Sequence, residues 1–338
     1  MNMSSAVDLA LVVIARNEMR CIARCLNSAK AHVDRMVVLD TGSSDDTIRV
    51  ANACGAEVFT MNWPGDFSKA RNHALACAGA AWHLVIDADE WIESGTECLR
   101  SFISLPDALG VVCVQNQLNN HDQLMRSSTW VSRLLPRGVF YEGAIHEQPV
   151  SDLSRVRLPL VLGHDGYTPQ QNQQKKGRNR QLLEAALKNH PDAPYLWYQL
   201  GKDFEVYGEC RQAINCYEKA LSLLQQKTAY SHDLTVRTLH CMGQAGLLTE
   251  AIALAQDWMP DWLHSPDFFF VLGNLWLDWA IQNPASALKT GVPMARLAWE
   301  QCLVIGEQPE LDGSVRGRGS FLAQRNLQAI SDSHLQKN

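Results

Sequence analysis

The sequence predicts an α/β domain with a mostly parallel, Rossmann-like sheet, followed by an all-α domain of helical repeats. The first half alternates strand-length apolar runs with helical segments, whereas the second half has helical periodicity and few strand signals. A chain of 338 residues, 46% hydrophobic and 20% charged, is long enough for two globular domains with full cores. The predicted domains cover residues 1–168 and 169–338, with the polar segment 170–176 near their boundary.

Charge and cysteine usage exclude several classes of protein. The net charge of −6, with no basic run to compensate it, argues against a nucleic-acid-binding protein. The ten cysteines are scattered and form no CxxC pairs, as expected for reduced thiols in a cytoplasmic protein. The N-terminus lacks a basic signal-peptide region, and no window holds 18 uncharged apolar residues. We therefore expect no transmembrane segment and at most peripheral membrane contact.

Four strand-length runs in the first half are separated by three helical segments. The predicted strands cover residues 9–15, 36–39, 57–61 and 83–86. The predicted helices run through residues 22–29, 48–51 and 70–78, with Gly55 ending the second and Ser68 capping the third. The resulting β-α-β-α-β-α-β order implies parallel strands joined by right-handed crossovers.

Polar residues cluster at the carboxyl ends of these strands, where parallel sheets bind their ligands. Asn17 and Glu18 follow the first strand, Asp40 the second, and Asp87 and Asp89 the fourth. Residues i and i+2 of a strand point the same way, so Asp87 and Asp89 can converge on a divalent cation such as Mg2+ or Mn2+. The sequence has no G-x-G-x-x-G or Walker motif, which disfavours a dinucleotide or P-loop site.

Four motifs, in the same order and spacing, resemble those of family 2 glycosyltransferases of the GT-A fold. They are Val-Ile-Ala-Arg-Asn-Glu at 13–18, Val-Leu-Asp-Thr-Gly-Ser-Ser-Asp-Asp-Thr at 38–47, Asp-Phe-Ser-Lys-Ala-Arg-Asn at 66–72 and Asp-Ala-Asp-Glu at 87–90. The resemblance implies an inverting transferase that uses a nucleotide-sugar donor, usually UDP-linked. It also implies that Mn2+ or Mg2+ on the Asp-x-Asp pair neutralises the charge developing on the diphosphate leaving group.

The resemblance further implies which residues bind the donor. They are Ala15, Arg16, Asn17, Glu18, Asp40, Ser43, Arg71, Asp87 and Ala88. Arg71 and Lys69 lie near a predicted helix start, where the helix dipole favours anions, so Arg71 is a candidate for a phosphate contact. The alternative is that both are solvated surface residues.

Residues beyond the fourth strand are expected to form the acceptor side. An inverting transfer needs a general base, usually a carboxylate. The segment 133–147, followed by His164-x-Gly-Tyr, resembles a subgroup of these transferases fused to helical repeats, which places His146 and Glu147 in the active site. We predict Glu147 as the base, with Asp165 as the alternative. Asp89 is predicted as a catalytic metal ligand beside Asp87, and His146 or His164 can complete the metal shell.

The second half matches the tetratricopeptide (TPR) pattern, in which small residues let paired helices pack closely. The matching positions are Trp197, Leu200, Gly201, Phe204, Ala213, Tyr217 and Ala220. More degenerate units follow, and residues 322–330 are predicted to form a capping helix. Such repeats usually offer a concave surface, which here can present a polypeptide acceptor or mediate homodimerisation.

The leading hypothesis is a metal-dependent hexosyltransferase, similar to bacterial relatives, that acts on a peptide or protein or on a cell-surface glycan. One alternative is a non-catalytic repeat scaffold with a relic transferase domain, which the intact acids disfavour. Another is a sugar nucleotidyltransferase, which would normally carry a glycine-rich basic loop where Arg16-Asn17-Glu18 stands.

Overall fold

The computed structural model describes residues 8–104, 108–120, 123–164 and 177–335. The chain divides into two compact units. The first comprises Met1–Leu124 and Thr129–Arg178, and the second comprises Met125–Ser128 and Asn179–Asn338. The predicted domain boundary at residues 168/169 lies outside the described residues and stays a prediction.

The first unit begins with the alternation of strands and helices that the sequence predicts. Its first elements are β1 (Leu9–Ala15), α1 (Ile22–Ala29), β2 (Arg35–Asp40), α2 (Thr47–Cys54), β3 (Glu57–Thr60), α3 (Phe67–Ala78) and β4 (Trp82–Val85). They are followed by β5 (Glu90–Ser94), α4 (Cys98–Phe102), β6 (Leu109–Asn120), β7 (Gln123–Pro136), β8 (Phe140–Glu142), β9 (Gln148–Val150) and β10 (Arg155–His164).

One eight-stranded sheet organises this unit, with the strand order β3-β2-β1-β4-β7-β6-β10-β5. The pairs β1–β2, β2–β3, β1–β4 and β6–β10 are parallel, whereas β4–β7 and β5–β10 are antiparallel. The predicted mostly parallel α/β fold is confirmed. Because β1 lies between β2 and β4, the carboxyl ends of these three strands meet at one edge of the sheet.

Helices α1 and α2 show how the local sequence determines these elements. Helix α1 buries one stripe, made of Ile22, Cys25, Leu26 and Ala29, against the sheet core. Helix α2 ends at Gly55, whose φ of 92° is accessible to glycine at little steric cost.

The N-terminus of α3 differs from the predicted one. Asp66, rather than Ser68, is the N-cap, and its side chain accepts a hydrogen bond from the Lys69 N–H at 3.1 Å. The Ser68 hydroxyl instead donates to Asp66 at 2.7 Å. The helix therefore begins two residues earlier than expected, at Phe67. Asp is among the strongest N-caps, which accounts for the earlier start.

The second unit is built almost wholly of helices. They are α5 (Arg178–Asn189), α6 (Pro194–Val206), α7 (Cys210–Leu223), α8 (Ser231–Gln244), α9 (Leu248–Trp258), α10 (Pro266–Gln282), α11 (Pro284–Ser286), α12 (Val292–Ile305) and α13 (Phe321–Leu335). A 3₁₀ turn, Met259–Asp261, follows α9, and a π turn, Ala287–Gly291, precedes α12. Among the described residues, no helix is long and apolar enough to cross a bilayer.

Two glycines explain how the helix pairs of the second unit pack. An added Cβ on Gly201 would lie 2.3 Å from the Tyr217 ring, and one on Gly273 would lie 2.4 Å from the Trp299 indole. The aromatic ring of one helix therefore occupies the space that a side chain on its partner would need. This is the small-against-aromatic packing that the TPR pattern predicts. Assignment of the unit as a TPR domain stays a prediction.

Candidate active site

The ends of β1 and β2 are joined by hydrogen bonds between Asn17 and the loop after Asp40. The Asn17 backbone N–H donates to Ser43 Oγ at 2.8 Å, and the Ser44 N–H donates to Asn17 Oδ1 at 2.7 Å. Asn17 adopts a left-handed φ of 58°, which asparagine tolerates better than most residues. Two predicted donor residues, Asn17 and Ser43, are thus held side by side.

Asp40 shapes the loop that follows β2. It is 1% exposed, and its Oδ1 accepts from the Gly42 and Ser43 N–H groups at 2.9 and 2.8 Å. Ser43 Oγ donates to Asp40 Oδ2 at 2.5 Å. The Ala15 carbonyl accepts from the Thr41 N–H at 2.9 Å, which continues the β1–β2 pairing into this loop. Asp40 therefore fixes the Ser43 hydroxyl where it accepts the hydrogen bond from the Asn17 backbone.

Three other predicted donor residues frame this edge. Arg16 is exposed, and the Glu18 N–H donates to Thr47 Oγ1 at 2.8 Å. Ala88 is buried between the two aspartates of the Asp-x-Asp motif. Glu18 Oε2 also accepts from the Cys21 thiol at 3.0 Å, so this carboxylate is turned toward the start of α1.

Asp87 binds two arginines, one to each carboxylate oxygen. Arg71 Nη2 donates to Asp87 Oδ1 at 2.6 Å, and Arg133 Nη2 donates to Asp87 Oδ2 at 2.8 Å. Arg133 Nη2 also donates to Glu90 Oε1 at 2.7 Å, and Glu90 Oε2 accepts from the Asp87 N–H at 2.8 Å. Arg71 and Arg133 are 6% and 7% exposed, so the alternative that Arg71 is a solvated surface residue is wrong.

The charges around Asp87 set its protonation. Burial favours the neutral acid, but the charges of Arg133 and Arg71 outweigh it and hold the pKa of Asp87 well below its usual range. Glu90 is more deeply buried, and burial raises its pKa even though Arg133 opposes the shift. Asp87 is therefore a fixed anion that keeps two guanidinium groups at the end of β4.

Glu147 reaches the same cluster from the loop between β8 and β9, the two strands of a small separate sheet. Arg71 Nε donates to Glu147 Oε1, and the Glu147 side chain is 9% exposed. The preceding residue, His146, has a left-handed φ of 51°, which turns the chain sharply just before Glu147. Arg71 consequently bridges the Asp-x-Asp motif and the predicted base.

Asp89 lies beside His164, at the end of β10. Asp89 Oδ2 is 3.4 Å from His164 Nε2, and these side chains are 12% and 16% exposed. The other ring nitrogen, His164 Nδ1, is 2.8 Å from Asn116 Oδ1. Asp87 and Asp89 therefore have different surroundings, because Asp87 pairs with two arginines and Asp89 lies beside an imidazole.

Strand register explains why residues so distant in sequence meet here. In the antiparallel β5–β10 pair, His164 is opposite Glu90, the residue after Asp89, and Gly163 is opposite Trp91. A Cβ on Gly163 would lie 2.3 Å from the Trp91 ring, so the close approach of these strands requires glycine.

The donor atoms at this edge fit a hard divalent cation in part. Asp89 supplies a carboxylate and His164 an imidazole, a combination that suits Mn2+. Both Asp87 oxygens are hydrogen-bonded to arginine, and His146 adjoins Glu147. Over the described ranges, no group of three or more His, Cys, Asp or Glu side chains is placed to hold a metal ion. The predicted metal set of Asp87, Asp89, His146 and His164 stays a prediction.

Two residues of the site were missed at the sequence level. Arg133 lies in β7 and Asn116 in β6, and both are less than 10% exposed. Both strands carry several other polar residues, so the sequence did not indicate which of them would be buried and would need a partner. Asp165, the alternative base, lies outside the described residues.

Comparisons with known proteins identify a family for the first part of the chain. The family model for Glycosyl transferase family 2 matches residues 10–149. A TPR repeat-containing protein of Synechococcus elongatus is 31% identical over 68% of this chain and 60% of its own length. The SPbeta prophage-derived glycosyltransferase SunS of Bacillus subtilis is 25% identical over 68% of this chain and 57% of its own length. The chain therefore spans less than two thirds of either relative.

One similar solved structure is glucosyl-3-phosphoglycerate synthase from Mycobacterium tuberculosis, in complex with Mn2+, uridine diphosphate and glucosyl-3-phosphoglycerate. The alignment covers 33% of this chain and 44% of that chain. The identity is 22% and the TM-score is 0.28. The family match covers β1 to β4 with their polar ends, together with Glu147. Residues 10–149 of this chain are a glycosyl transferase family 2 domain.

Proposed function

We propose that the chain is a glycosyltransferase that moves a sugar from a nucleotide-sugar donor, UDP-linked by family resemblance, to a peptide, protein or glycan acceptor. The proposed reaction inverts the anomeric centre and uses Mn2+ or Mg2+. The single observation that carries this proposal is the convergence of Asn17, Asp40, Asp87 and Asp89 at one sheet edge inside the matched family domain.

The loop after β2 is suited to bind the donor nucleoside. Asp40 holds the backbone of this loop, and the Ser43–Asn17 contact fixes its distance from the end of β1. Hydroxyl, amide and backbone groups held in this way can exchange hydrogen bonds with a base or ribose without first being ordered. Pre-organisation of this kind lowers the entropic cost of binding.

The opposite part of the edge is suited to a diphosphate. Asp87 pairs with both Arg71 and Arg133 and so holds their two guanidinium groups in place. These groups lie where negative charge would develop on the diphosphate as the sugar is transferred. Asp89 and His164 are the residues that would hold the divalent cation. When bound there, that cation would supply electrostatic stabilisation of the leaving diphosphate.

The acceptor side is assigned to Glu147. Its carboxylate is largely buried and is oriented by Arg71 Nε, so it keeps one direction instead of sampling many rotamers. A carboxylate in that position can accept the proton of the attacking acceptor group. Arg71 pairs with both Glu147 and Asp87, so it fixes the position of the proposed base relative to the proposed diphosphate site.

A screen of nucleotide sugars tests the proposed function directly. UDP-, GDP-, dTDP- and CMP-sugars are incubated with the full chain in Mn2+, Mg2+ or EDTA, and nucleotide release is measured. We expect slow hydrolysis of at least one UDP-sugar that depends on the divalent cation. If no nucleotide sugar is bound or hydrolysed under any condition, the transferase proposal is wrong.

The variant Glu147→Gln separates donor binding from transfer. Glutamine keeps a carbonyl oxygen for Arg71 Nε but removes the charge that takes up a proton. We expect donor affinity to stay near that of the wild type and transfer to fall by about 10²–10⁴-fold. Isothermal titration with the nucleotide and a transfer assay measure the two effects.

The matched control for this variant is Glu142→Gln, which changes an exposed carboxylate five positions earlier and should have little effect. Unimpaired transfer by Glu147→Gln would move the base elsewhere, and Asp165 would then be the next residue to replace.

A further inference from the structure

We propose that Asn72 is a positioning residue. By holding the backbone of Tyr141, it fixes the β8–β9 hairpin on α3 and so sets where Glu147 meets Arg71. Asn72 is the last residue of the motif at 66–72, and the proposed function gives it no role. The inference rests on the proposed function, because it concerns the placement of the residue proposed there as the base.

The Asn72 side chain makes two hydrogen bonds to the backbone of one residue. Asn72 Oδ1 accepts from the Tyr141 N–H at 2.8 Å, and Asn72 Nδ2 donates to the Tyr141 carbonyl oxygen at 2.9 Å. A backbone N–H can only donate and a carbonyl oxygen can only accept, so the opposite orientation of the amide would lose both bonds. The chemistry of the partner therefore fixes which amide atom is which.

Strand pairing explains why the Tyr141 backbone takes a partner outside the hairpin. Tyr141 is opposite Pro149 in the antiparallel β8–β9 pair, and proline has no N–H to donate. Opposed residues in such a pair alternate between those that exchange backbone hydrogen bonds and those whose N–H and C=O groups point away from the partner strand. Tyr141 is of the second kind, and Asn72 takes the place of a third strand at this edge.

The hairpin depends on α3 for its placement. Strands β8 and β9 have three residues each and form a separate two-stranded sheet, which is marginally stable by itself in water. Besides the Asn72 bonds, the Phe67 N–H donates to the Ala144 carbonyl at 2.9 Å, and Arg71 pairs with Glu147. One helix therefore holds the first strand of the hairpin, its loop and the proposed base.

A tight loop carries this anchoring from β8 to Glu147. Gly143 and His146 both have left-handed φ values, of 104° and 51°. A Cβ added to Gly143 would lie 3.4 Å from Glu147 Cα, so the loop folds back and places Glu147 against the residue that follows β8. A shift of β8 would consequently move Glu147 as well. Misplacement of a reacting group by about 1 Å can cost about 10²-fold in rate.

Replacement of Asn72 by alanine tests the inference in the full chain. Alanine removes both hydrogen bonds and favours the helix, so α3 should be retained. UDP release from the UDP-sugars of the donor screen measures the reaction, and isothermal titration measures the affinity for UDP. We expect UDP release to fall about 10–100-fold and the affinity for UDP to stay within about threefold of the wild type. The matched control is His73→Ala, at the next and exposed position of α3, which should change neither.

A double-mutant cycle distinguishes positioning of Glu147 from a general structural role. If Asn72 acts through Glu147, adding Asn72→Ala to Glu147→Gln should lower UDP release by less than about twofold more, because the base that it positions is already absent. A residue that only supports the fold would lower the rate by the same factor with or without Glu147.

Hydrogen exchange measures the anchoring without any substrate. Asn72 accepts the Tyr141 N–H, so Asn72→Ala should speed exchange in peptides that cover residues 140–147 by about tenfold, the scale of one lost hydrogen bond. Peptides from β1 should exchange as in the wild type. Asn72→Asp keeps the oxygen that accepts this N–H and loses the group that donates to the carbonyl, so its exchange and UDP release should be intermediate. Thermal unfolding identifies a variant that fails to fold, and Asn72→Asp then decides by the same measurements.

The outcomes separate this inference from the proposed function. If folded Asn72→Ala exchanges its hairpin amides at the wild-type rate, or lowers UDP release equally with and without Glu147, the role of Asn72 is refuted while Glu147 stands as the base. If Glu147→Gln releases UDP as fast as the wild type, the base is elsewhere and the inference falls with it. If the wild type hydrolyses no nucleotide sugar, the proposed function fails, and hydrogen exchange still decides whether Asn72 fixes the hairpin that carries Glu147.

Discussion

Replacement of Asp89 by asparagine is expected to lower sugar transfer by about 10²–10³-fold, the scale seen when one group that stabilises developing charge is removed. Asparagine keeps the size of the side chain and one oxygen, but it removes the negative charge that would hold the cation with His164. Transfer should recover in part at high Mn2+ concentration, because the variant weakens cation binding more than it changes the pocket. Steady-state rates over a range of Mn2+ concentrations measure both effects.

The control for this variant is Asp46→Asn. Asp46 lies at the N-terminus of α2, pairs with Arg49 at 2.8 Å, and has a side chain that is 53% exposed. Loss of this exposed pair should leave transfer and its Mn2+ dependence close to those of the wild type. A fully active Asp89→Asn enzyme with unchanged Mn2+ dependence would contradict the assignment of Asp89.

Replacement of Arg133 by methionine is expected to lower the free energy of unfolding by about 3–5 kcal/mol, the cost of leaving a buried charge without its partner. The Arg133 and Glu90 side chains are 8% and 4% exposed, and their atoms are 2.7 Å apart. Methionine fills a similar volume, so the loss should come chiefly from charge. Chemical denaturation at pH 7 measures it.

The pH dependence of this effect has a definite sign. In the wild type, the pKa of Asp87 lies below its unfolded value, so Asp87 stabilises the fold above its ordinary pKa and loses that contribution as pH falls through the folded pKa. Without Arg133, both Asp87 and Glu90 lose a positive neighbour, and their pKa values rise. The variant should therefore be least stable relative to the wild type near pH 7, and the difference should narrow as pH falls toward 5.

A surface arginine provides the control for the loss of Arg133. Arg35 pairs with Glu57 at 2.8 Å, but these side chains are 35% and 49% exposed. Water screens that pair, so Arg35→Met should cost less than about 1 kcal/mol and show little of the pH dependence. If Arg35→Met and Arg133→Met lowered the free energy of unfolding equally, burial would not be what makes the Arg133 ion pairs stabilise the fold.

Local sequence patterns were sufficient for the first part of the fold. The runs that became β1, β2 and β4 are short and mainly apolar, and in alternation with helical segments such runs indicate strands buried on both faces. The apolar stripe of α1 and the glycine that ends α2 can likewise be recognised from a few consecutive residues. Because parallel strands end at a common edge, these elements also place Asn17, Asp40 and the two aspartates near one another.

The different surroundings of Asp87 and Asp89 could not be derived from the motif. Alternation along a strand makes the two carboxylates equivalent, and on that basis both were predicted as metal ligands. Their neighbours come from α3, β7 and β10, through Arg71, Arg133 and His164. Contacts between residues 16 to 75 positions apart depend on strand order and register, which no local pattern encodes.

The sequence by itself determined the α/β class of the first domain, the sheet edge that carries the candidate site and the chemical types of the residues there, because burial and strand ends leave local signatures. Only the tertiary structure decided that Arg71 bridges Asp87 and Glu147 and that Asn116 faces His164. The physical reason is that these hydrogen bonds need donor and acceptor atoms about 3 Å apart in space, whatever the separation of the residues along the chain.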